Sequence, residues 1–313
     1  WESELAAQGI QHHKILDIDS KNPVTVLKLL FSIHQIIKQK GITIVHTHHR
    51  MAAFYIRLLK FVYPKLTHVY TAHNVFKDKL PLYRFALKNA KSVAVGEAVN
   101  NNLKEDVGIT DSKVIYNGVI LKETDNQVDD IVGYDGTKLG CIARLSEQKG
   151  LTYLIEAMSL LTVKNIRLFI VGDGELRNEL ENKVEELHLQ DSVTFLGYRK
   201  DIVECINSFD FLVSSSLFEG LALNVIETFM NGKTIVATDI PGINEIVNDE
   251  NGILVPAKNP GALAGAIDKL ATDVPLRNRL AFHAKKTYEE RFSYSMFLEN
   301  YRALYREIQG EPK

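Results

Sequence analysis

Two short apolar runs enclose one amphipathic segment in residues 138–176, KLGCIARLSEQKGLTYLIEAMSLLTVKNIRLFIVGDGEL. The runs at 138–143 and 166–171 are typical of buried strands, and residues 149–162 between them have the apolar spacing of a helix. A strand, a helix and a second strand in this order form the unit from which parallel sheets are built. This stretch therefore predicts an α/β fold.

The same alternation continues in both directions along the chain. Further strands are predicted at 42–46, 67–72, 92–95, 192–196, 210–214, 234–238 and 252–255. The helices predicted between them lie at about 23–40, 50–62, 79–90, 175–188, 200–207, 221–231 and 260–271. Apolar strands separated by helices indicate parallel sheets that are covered on both faces.

The length and one polar stretch indicate two domains. A chain of 313 residues is long enough for two separate cores. The acidic stretch at 122–136, KETDNQVDDIVGYDG, has no clean periodicity and is the best candidate for a linker. We therefore expect a first domain over 1–120 and a second over 121–294. Residues from about 295 onward form a further helical pattern that is rich in aromatic side chains.

The composition is that of an ordinary globular protein. Apolar residues make up 45% of the chain, yet no run approaches the roughly 18 uninterrupted apolar residues that span a bilayer. Cys141 and Cys205 lie in apolar segments and are predicted to be reduced, which favours a cytoplasmic location over a disulfide-linked scaffold.

The charge is uneven along the chain, although the net charge is only −2. Residues 1–120 carry 16 Lys/Arg against 9 Asp/Glu, and eight of the ten histidines lie there. We expect this basic half to meet an anionic partner. Nucleic acid fits poorly, because the other half is acidic and contains no nucleic-acid-reading motif.

Residues 50–91 are the most basic segment, with nine Lys/Arg and one acid, Asp78. Its first part, RMAAFYIRLLKFVY, mixes cations with large apolar side chains, which is typical of a helix that lies on anionic lipid. A core helix with a solvated basic face has the same pattern, so both interpretations stay open.

Several chemically informative residues follow predicted strands. They are His73, Arg144, Gly172, Gly197 and Glu219. Ligands of open parallel sheets bind beyond the carboxyl ends of the strands, so these positions predict a ligand site.

Arg144 and Lys149 lie between a strand and the helix that begins near Gly150. Two cations beside a helix N-terminus suit a pair of phosphates, although solvated surface charges would have the same spacing. In VGDGEL (171–176), Gly172 could let the backbone approach a ligand closely, or it could simply form a tight turn.

The stretch FEGLALNVIE (218–227) places Glu219 and Glu227 eight residues apart. On a helix that spacing is about 12 Å along the axis and about 80° around it, so both acids could face one elongated ligand. Glu227 could bind a vicinal diol such as ribose, and Glu219 the hydroxyls of a second ring. The amides that could cap a diphosphate between them are those of Gly220, Leu221, Ala222 and Leu223. An ordinary helix with two acids is the alternative.

Two groups of histidines stand at predicted strand ends. His73, in TAHN, could hydrogen-bond a substrate hydroxyl or could be structural. His46, His48 and His49, in HTHH, have the alternation of a zinc-binding pair. No acid or cysteine partner stands at a suitable spacing, so no metal site is predicted.

Taken together, seven segments in order resemble the family 4 retaining glycosyltransferases with the GT-B fold. They are YNGV at 116, RLSEQKG at 144, VGDGEL at 171, FLGYRKDI at 195, SLFEGLALNVIE at 216, ATDIPGINEIV at 237 and NGILVP at 251. The resemblance implies two Rossmann-like, doubly wound domains that face a cleft. It also implies that the terminal helix, about 295–313, crosses back onto the first domain.

The resemblance implies a role for each matching residue. Arg144 and Lys149 would bind the donor diphosphate and stabilise the leaving group. Glu227 would hold the ribose, and Glu219 would contact the transferred sugar. His73 would reach the same sugar. The base pocket would be lined by Gly197, Tyr198 and Arg199.

The resemblance also implies the reaction and its surroundings. The donor is expected to be a nucleoside-diphosphate sugar, with a UDP-sugar favoured, and the acceptor lipid-linked or a polysaccharide. Transfer would retain the anomeric configuration and need no metal or cofactor. The basic first half, not the resemblance, motivates the further expectation that this cytoplasmic enzyme could be peripheral on the inner face of the membrane, where residues 50–91 could meet anionic lipid.

Two departures from the family pattern are visible. Family members begin with a strand and a glycine-rich loop, so we expect that an N-terminal segment precedes Trp1 in the natural protein. The acid that often follows Asn-Gly-Val is Ile120 here. Two other functions stay open: a transferase for a soluble small-molecule acceptor, and a non-catalytic nucleotide-sugar-binding protein.

Overall fold

The structure is a computed structural model that describes residues 2–120 and 124–310. The chain divides into two compact units. The first comprises the described residues up to Ala94 together with Asn100–Lys113. The second comprises Val95–Val99 and the described residues from Val114 onward.

The first sheet contains four strands in the order β1-β2-β3-β4. The strands are β1 (Ile44–Thr47), β2 (Thr67–Ala72), β3 (Lys91–Ala94) and β4 (Ser112–Val114). The helices in this part of the chain are α1 (Glu2–Ala7), α2 (Pro23–Lys40), α3 (Arg50–Leu59), α4 (Leu80–Leu87) and α5 (Glu97–Asn102). The pairs β1–β2 and β2–β3 are parallel. The three predicted strands and three predicted helices of this region are confirmed, whereas β4, α1 and α5 are not among the predicted elements.

The longest helix of this unit, α2, shows how local sequence sets an element's bounds. The Asn22 side chain accepts a hydrogen bond from the Val24 amide, and Pro23 occupies the first turn. The helix ends at Gly41, whose φ of 60° is left-handed and favours glycine. These signals bracket the apolar periodicity, so the predicted bounds 23–40 match the structure.

The second sheet contains six strands in the order β10-β9-β8-β5-β6-β7. They are β5 (Thr137–Ile142), β6 (Ile166–Val171), β7 (Val193–Gly197), β8 (Phe211–Ser214), β9 (Ile235–Thr238) and β10 (Gly252–Val255). The helices are α6 (Asp129–Val132), α7 (Leu151–Ser159), α8 (Arg177–Glu186), α9 (Ile202–Ser208), α10 (Leu223–Met230), α11 (Pro260–Thr272), α12 (Val274–Thr287) and α13 (Tyr294–Gln309). All of the strand pairs are parallel, which confirms the doubly wound prediction.

The strand order reverses between β5 and β8. β5 pairs with β6, which follows it in the chain, and also with β8 on its other side. The chain therefore continues from β5 and from β8 toward opposite sides of the sheet. The loops that follow these two strands diverge, which leaves a crevice at the carboxyl ends of the strands. Leu139 of β5 and Phe211 of β8, which are partners in the β5–β8 pairing, are fully buried.

The predicted linker is wrong over its described part, residues 124–136. α6 lies within it, with Ile131 fully buried, because this segment packs on the second unit. The Val128 amide also donates to the Ser208 hydroxyl at 2.8 Å. Its first residues, 122 and 123, lie outside the described residues.

The end of the chain also differs from the predicted division. The described part of α13 groups with the second unit, whereas the sequence analysis placed it with the first. The reason is the segment before Ile120: the Val119 amide donates to the Phe292 carbonyl, and Gly118 packs against Phe297. That α13 also crosses onto the first domain stays a prediction.

Candidate functional site

A cavity of about 770 Å³ opens at the carboxyl ends of β5 and β8, where the strand order reverses. We call it the switch-point cavity. Its lining includes eight predicted residues: Arg144, Lys149, Gly172, Tyr198, Arg199, Glu219, Leu221 and Leu223. The other predicted positions in the second unit, Gly197, Gly220, Ala222 and Glu227, do not line it. The structure therefore gathers most of the predicted donor site at one place.

The centre of this cavity is a buried ion pair. Lys149 Nζ lies 2.6 Å from Glu219 Oε1, and their side chains are only 19% and 7% exposed. The Ser216 hydroxyl donates to the same carboxylate oxygen at 2.8 Å. Gln148 Nε2 approaches Oε2 at 3.4 Å, and it also donates to the Phe218 carbonyl. Three donors thus hold the Glu219 carboxylate in one orientation.

The two loops that supply this pair are tied to each other by backbone contacts. The Leu217 amide donates to the Gln148 carbonyl at 2.7 Å, and the Ser215 hydroxyl donates to the Lys149 carbonyl at 2.9 Å. Gly150 has a φ of 58°, and a Cβ there would overlap the Ser215 carbonyl oxygen. Only glycine permits this close approach, so the geometry of the ion pair depends on it.

Arg144 occupies the same cavity in a different way. Its guanidinium lies 3.1 Å from Glu175 Oε2, and the two side chains are 72% and 54% exposed. An exposed pair of this kind contributes little to stability. Arg144 is therefore free to exchange Glu175 for an anionic ligand at small cost.

The amides that were predicted to cap a diphosphate are not equivalent. The Ala222 amide donates to the Gly242 carbonyl at 3.1 Å, so it is already engaged within the protein. The amides of Gly220, Leu221 and Leu223 remain candidates, and Leu223 opens the first turn of α10.

Glu227 lies on α10 one turn beyond the residues that line the cavity. Burial raises the pKa of its carboxyl to about 6, and no compensating cation or donor lowers it. A half-buried carboxylate in this state is ready to accept hydrogen bonds from a polar ligand.

Replacing Glu227 by glutamine is expected to remove a pH dependence of stability. The folded state binds this proton more tightly than the unfolded state, whose pKa is about 4.5. Stability therefore falls as the pH rises from about 4.5 to about 6, by up to about 2 kcal/mol for this group. Calorimetry of the protein across this pH range should show a smaller fall in the free energy of unfolding for E227Q than for the wild type. At pH 7, E227Q should be the more stable of the two. The exposed Glu250→Gln is the control, and an equal pH slope in E227Q and the wild type would contradict the assignment.

The rim of the cavity combines an aromatic ring with cations. Tyr198 is 74% exposed, and Arg199 pairs with Asp201, its Nε donating to Oδ1 at 3.0 Å. Lys200 and Asn224 also line the cavity, and sequence reasoning missed them although both lie inside the quoted motifs. Asn224 Nδ2 donates to the Ile142 carbonyl, which anchors the start of α10 to the end of β5.

In the first unit, His73 directly follows β2 and contacts a second histidine. His48 Nδ1 and His73 Nε2 are 3.0 Å apart. The ring of His46 packs against that of His48 at a tilt of 31°, with their centroids 4.3 Å apart. Burial lowers the pKa of all three, that of His46 to about 4, so neutral rings prevail near pH 7.

Within residues 2–120 and 124–310 no group of three His, Cys, Asp or Glu side chains is arranged to hold a metal ion. In HTHH the rings of His46 and His48 lie next to each other, whereas His49 Nε2 lies 3.8 Å from Asp19 Oδ1. The chain contains one Asp-x-Asp sequence, Asp17-Ile18-Asp19, which the sequence analysis did not identify. The Asp17 carboxylate accepts a hydrogen bond from the Asp19 amide.

The basic segment 50–91 contains both a buried helix face and exposed apolar side chains. Tyr55, Ile56 and Leu59 of α3 are buried, so this helix packs into the core. The segment also has exposed apolar side chains. We call the four residues Phe61, Val62, Leu82 and Phe85 the α3–α4 patch. The Arg57 guanidinium lies 5.2 Å from the ring centroid of Phe61 and 5.4 Å from that of Phe85. None of the described helices is long and apolar enough to cross a bilayer.

Comparison with known families gives two matches that together leave out only residues 124–131 and 288–313. Residues 1–123 match the model of Glycosyltransferase Family 4. Residues 132–287 match the model of Glycosyl transferases group 1.

Individual proteins agree with these matches. An uncharacterized glycosyltransferase of Methanocaldococcus jannaschii is 31% identical over 216 residues, which is 63% of this chain and 55% of that protein. The chain thus spans about half the length of that relative. The crystal structure of a Rickettsia africae glycosyltransferase superposes with a TM-score of 0.83 at 26% identity, over 98% of this chain and 87% of the other. The structure of Anabaena HepE in complex with UDP has a TM-score of 0.85 at 21% identity, over 97% and 88% of the two chains. At 21% identity, the likeness to HepE supports a shared fold and nothing further.

Proposed function

We propose, from the premise that the chain belongs to the family 4, group 1 glycosyltransferases, that it transfers a sugar from a nucleoside-diphosphate sugar. The observation that carries the proposal is the buried Lys149–Glu219 pair beside the exposed Arg144 in the switch-point cavity. The cavity presents cations to an anion and an oriented carboxylate to hydroxyl groups, which are the two chemistries that such a donor requires.

The proposed mechanism follows from the charges that develop as the donor reacts. The bond between the anomeric carbon and the diphosphate breaks, which puts negative charge on the phosphate and oxocarbenium character on the sugar. Lys149, Arg144 and the free amides at the start of α10 would offset the first charge. The acceptor oxygen would bond to the same face of the sugar, and its proton would pass to the leaving phosphate oxygen. That course retains the anomeric configuration.

Three acidic or basic side chains would orient the donor. Glu219 Oε1 accepts from Lys149 and Ser216, whereas Oε2 has the longer 3.4 Å contact with Gln148, so Oε2 would receive a sugar hydroxyl. Glu227, a half-buried acceptor, would bind the ribose diol. His73 would hydrogen-bond a hydroxyl of the transferred sugar.

A UDP-sugar is the favoured donor. HepE, which shares the fold, binds UDP in its crystal structure. In this chain the exposed Tyr198 ring at the cavity rim would stack on a base, with Arg199 beside it.

Thermal shift with nucleotides tests the donor site directly. UDP at about 100 times its Kd is expected to stabilise the second unit by about 2.7 kcal/mol, because it binds only the native state. GDP and ADP at the same concentration should raise Tm less. The Arg144→Met variant, which loses an exposed phosphate ligand without a buried partner, should keep the fold and lose most of the shift. Equal shifts for all three nucleotides would overturn the UDP preference, and no shift for any would overturn the donor site.

The acceptor is proposed to be lipid-linked or a polysaccharide, and the α3–α4 patch is proposed to meet the inner face of the membrane. Support comes from the exposed Phe61, Val62, Leu82 and Phe85 among the nine cations of residues 50–91. Aromatic rings with neighbouring cations bind anionic bilayer surfaces through both burial and charge.

Binding to vesicles tests this surface. Vesicles that contain anionic phosphatidylserine are expected to retain the protein at low salt and to release it as salt rises. The variant Phe61→Ser/Lys88→Glu should bind at least tenfold more weakly, because each basic residue near such a surface contributes about 1 kcal/mol. Lys269→Glu in α11 of the second unit is the matched control. Unchanged retention of F61S/K88E would refute the proposed surface.

A further inference from the structure

Two histidines of the first unit form a direct hydrogen bond between their rings. His48 Nδ1 lies 3.0 Å from His73 Nε2, and the ring centroids are 5.3 Å apart. β1 and β2 are parallel neighbours, with Thr47 opposite Tyr70 in register. The residues that follow these strands therefore leave the sheet at the same edge, and strand pairing brings the two rings together.

A hydrogen bond between two imidazole nitrogens needs one proton, which only one of them carries. When His48 Nδ1 carries it, His73 Nε2 accepts, and the remaining proton of neutral His73 must be on Nδ1. When His73 Nε2 carries the proton, His73 Nδ1 is a bare acceptor. The state of His48 thus determines whether the second nitrogen of His73 donates or accepts.

We propose that His48 is a positioning residue for His73: it fixes the orientation and tautomer of that ring, so that His73 Nδ1 meets the substrate in a single hydrogen-bonding role. The sugar contact of His73 rests on the proposed function, whereas the His48–His73 bond does not depend on it.

The surroundings of the pair keep both rings neutral. His48 is the one charge that contributes to the lowered pKa of His73, and burial is the larger cause. His46, held by a 2.7 Å contact between its Nε2 and the Thr71 hydroxyl, packs against the His48 ring. Among the described residues, no carboxylate contributes to the shifts of these three rings. Protonation of both His48 and His73 would leave their bond without an acceptor, so acid breaks the arrangement.

Three substitutions separate positioning from simple packing. His48→Ala removes the bond and the charge. His48→Asn places an amide where Nδ1 stands, so it can keep a hydrogen bond to His73 but cannot become a cation. His49→Asn, at the neighbouring residue that is half-exposed and faces Asp19, is the matched control.

Nitrogen-15 NMR of the imidazoles measures the tautomer and the pKa of His73 without any assay of activity. In the wild type, His73 should occupy one tautomer and titrate below its ordinary pKa of about 6.5. In H48A we expect a mixture of tautomers and a His73 pKa that rises toward 6.5, because the electrostatic contribution by which His48 lowers it is lost. H48N should raise the pKa similarly while it keeps a single ring orientation. A His73 tautomer and titration that are identical in H48A and the wild type would overturn the proposal.

Sugar transfer by the full-length enzyme provides the second readout. H48A is expected to lower kcat about tenfold, the effect of about one lost hydrogen bond, and H48N to recover most of the loss. The acid limb of the pH profile should move to higher pH in H48A, and H48A should cost nothing further in a His73→Ala background. Wild-type transfer by H73A would overturn the positioning role. The rise in Tm on UDP binding depends on the second unit. It would therefore still test the donor site if the positioning role of His48 failed.

Discussion

Replacing Lys149 by methionine is expected to destabilise the second unit by about 3 kcal/mol, because it leaves the Glu219 carboxylate buried without its cation. Glu219 is only 7% exposed, so water cannot replace the missing partner. Ser216 and Gln148 would still donate to the carboxylate, which limits the loss. Sugar transfer should fall by about 10²–10³-fold, the usual effect of removing one group that stabilises developing negative charge.

A double-mutant cycle checks the physical cause. Glu219→Gln alone should destabilise less than K149M, since the Lys149 side chain is 19% exposed and its amine can turn toward solvent. The double variant K149M/E219Q should recover much of the stability without recovering transfer. Denaturation of each variant, followed by circular dichroism, gives the three free energies. If K149M were as stable as the wild type, the pair would not be the buried, mutually dependent contact described above.

Replacing Gly172 by alanine should be more damaging still and should abolish UDP binding. Gly172 has a φ of 138°, which side chains rarely tolerate, and its added Cβ would overlap the Ala143 carbonyl oxygen. That oxygen belongs to the backbone just beyond β5, so it cannot turn aside as a side chain would. The Gly172 amide also donates to the Gly197 carbonyl at 2.8 Å. Relief of the clash must therefore move β5, β6 or β7 at the edge that forms the cavity.

We expect G172A to lose at least about 4 kcal/mol or to fail to fold, as for other exceptional substitutions that combine overlap with backbone strain. Gly232→Ala is the matched control, since Gly232 also has a left-handed φ, 64°, but nothing lies within 4 Å of its added Cβ. That variant should lose only about 1 kcal/mol. If G172A had the same melting temperature as G232A and still bound UDP, the backbone at Gly172 would not be constrained by β5.

Much of the fold could be predicted because its signals are local. Helix α2 has its cap, its proline and its terminal glycine within a few residues of its apolar pattern. The strands of the second unit alternate with helices so regularly that a parallel sheet follows. α12 was missed because only Leu280 and Ala284 of its 14 residues are buried, so its apolar periodicity is weak.

The candidate site was predictable in its members but not in their arrangement. Arg144, Lys149 and Glu219 were expected to lie together because Arg144 and Glu219 follow strands and Lys149 precedes the helix after Arg144. The sequence indicated no difference between an exposed cation and a buried one, yet Lys149 is paired deep in the cavity while Arg144 stands in solvent. Ala222 was expected to offer its amide to a ligand, but Gly242, twenty residues later in the chain, already accepts it.

By itself, the sequence determined which segments become strands and helices and which residue types stand at the strand ends, because those properties depend on neighbours a few residues away. Tertiary structure alone decided which of these side chains touch: Lys149 with Glu219, and His48 with His73, pairs that are 70 and 25 residues apart. The physical reason is that a contact over such a separation exists only once the strand order is set. In a parallel sheet, that order brings the loops at one edge together irrespective of their distance along the chain.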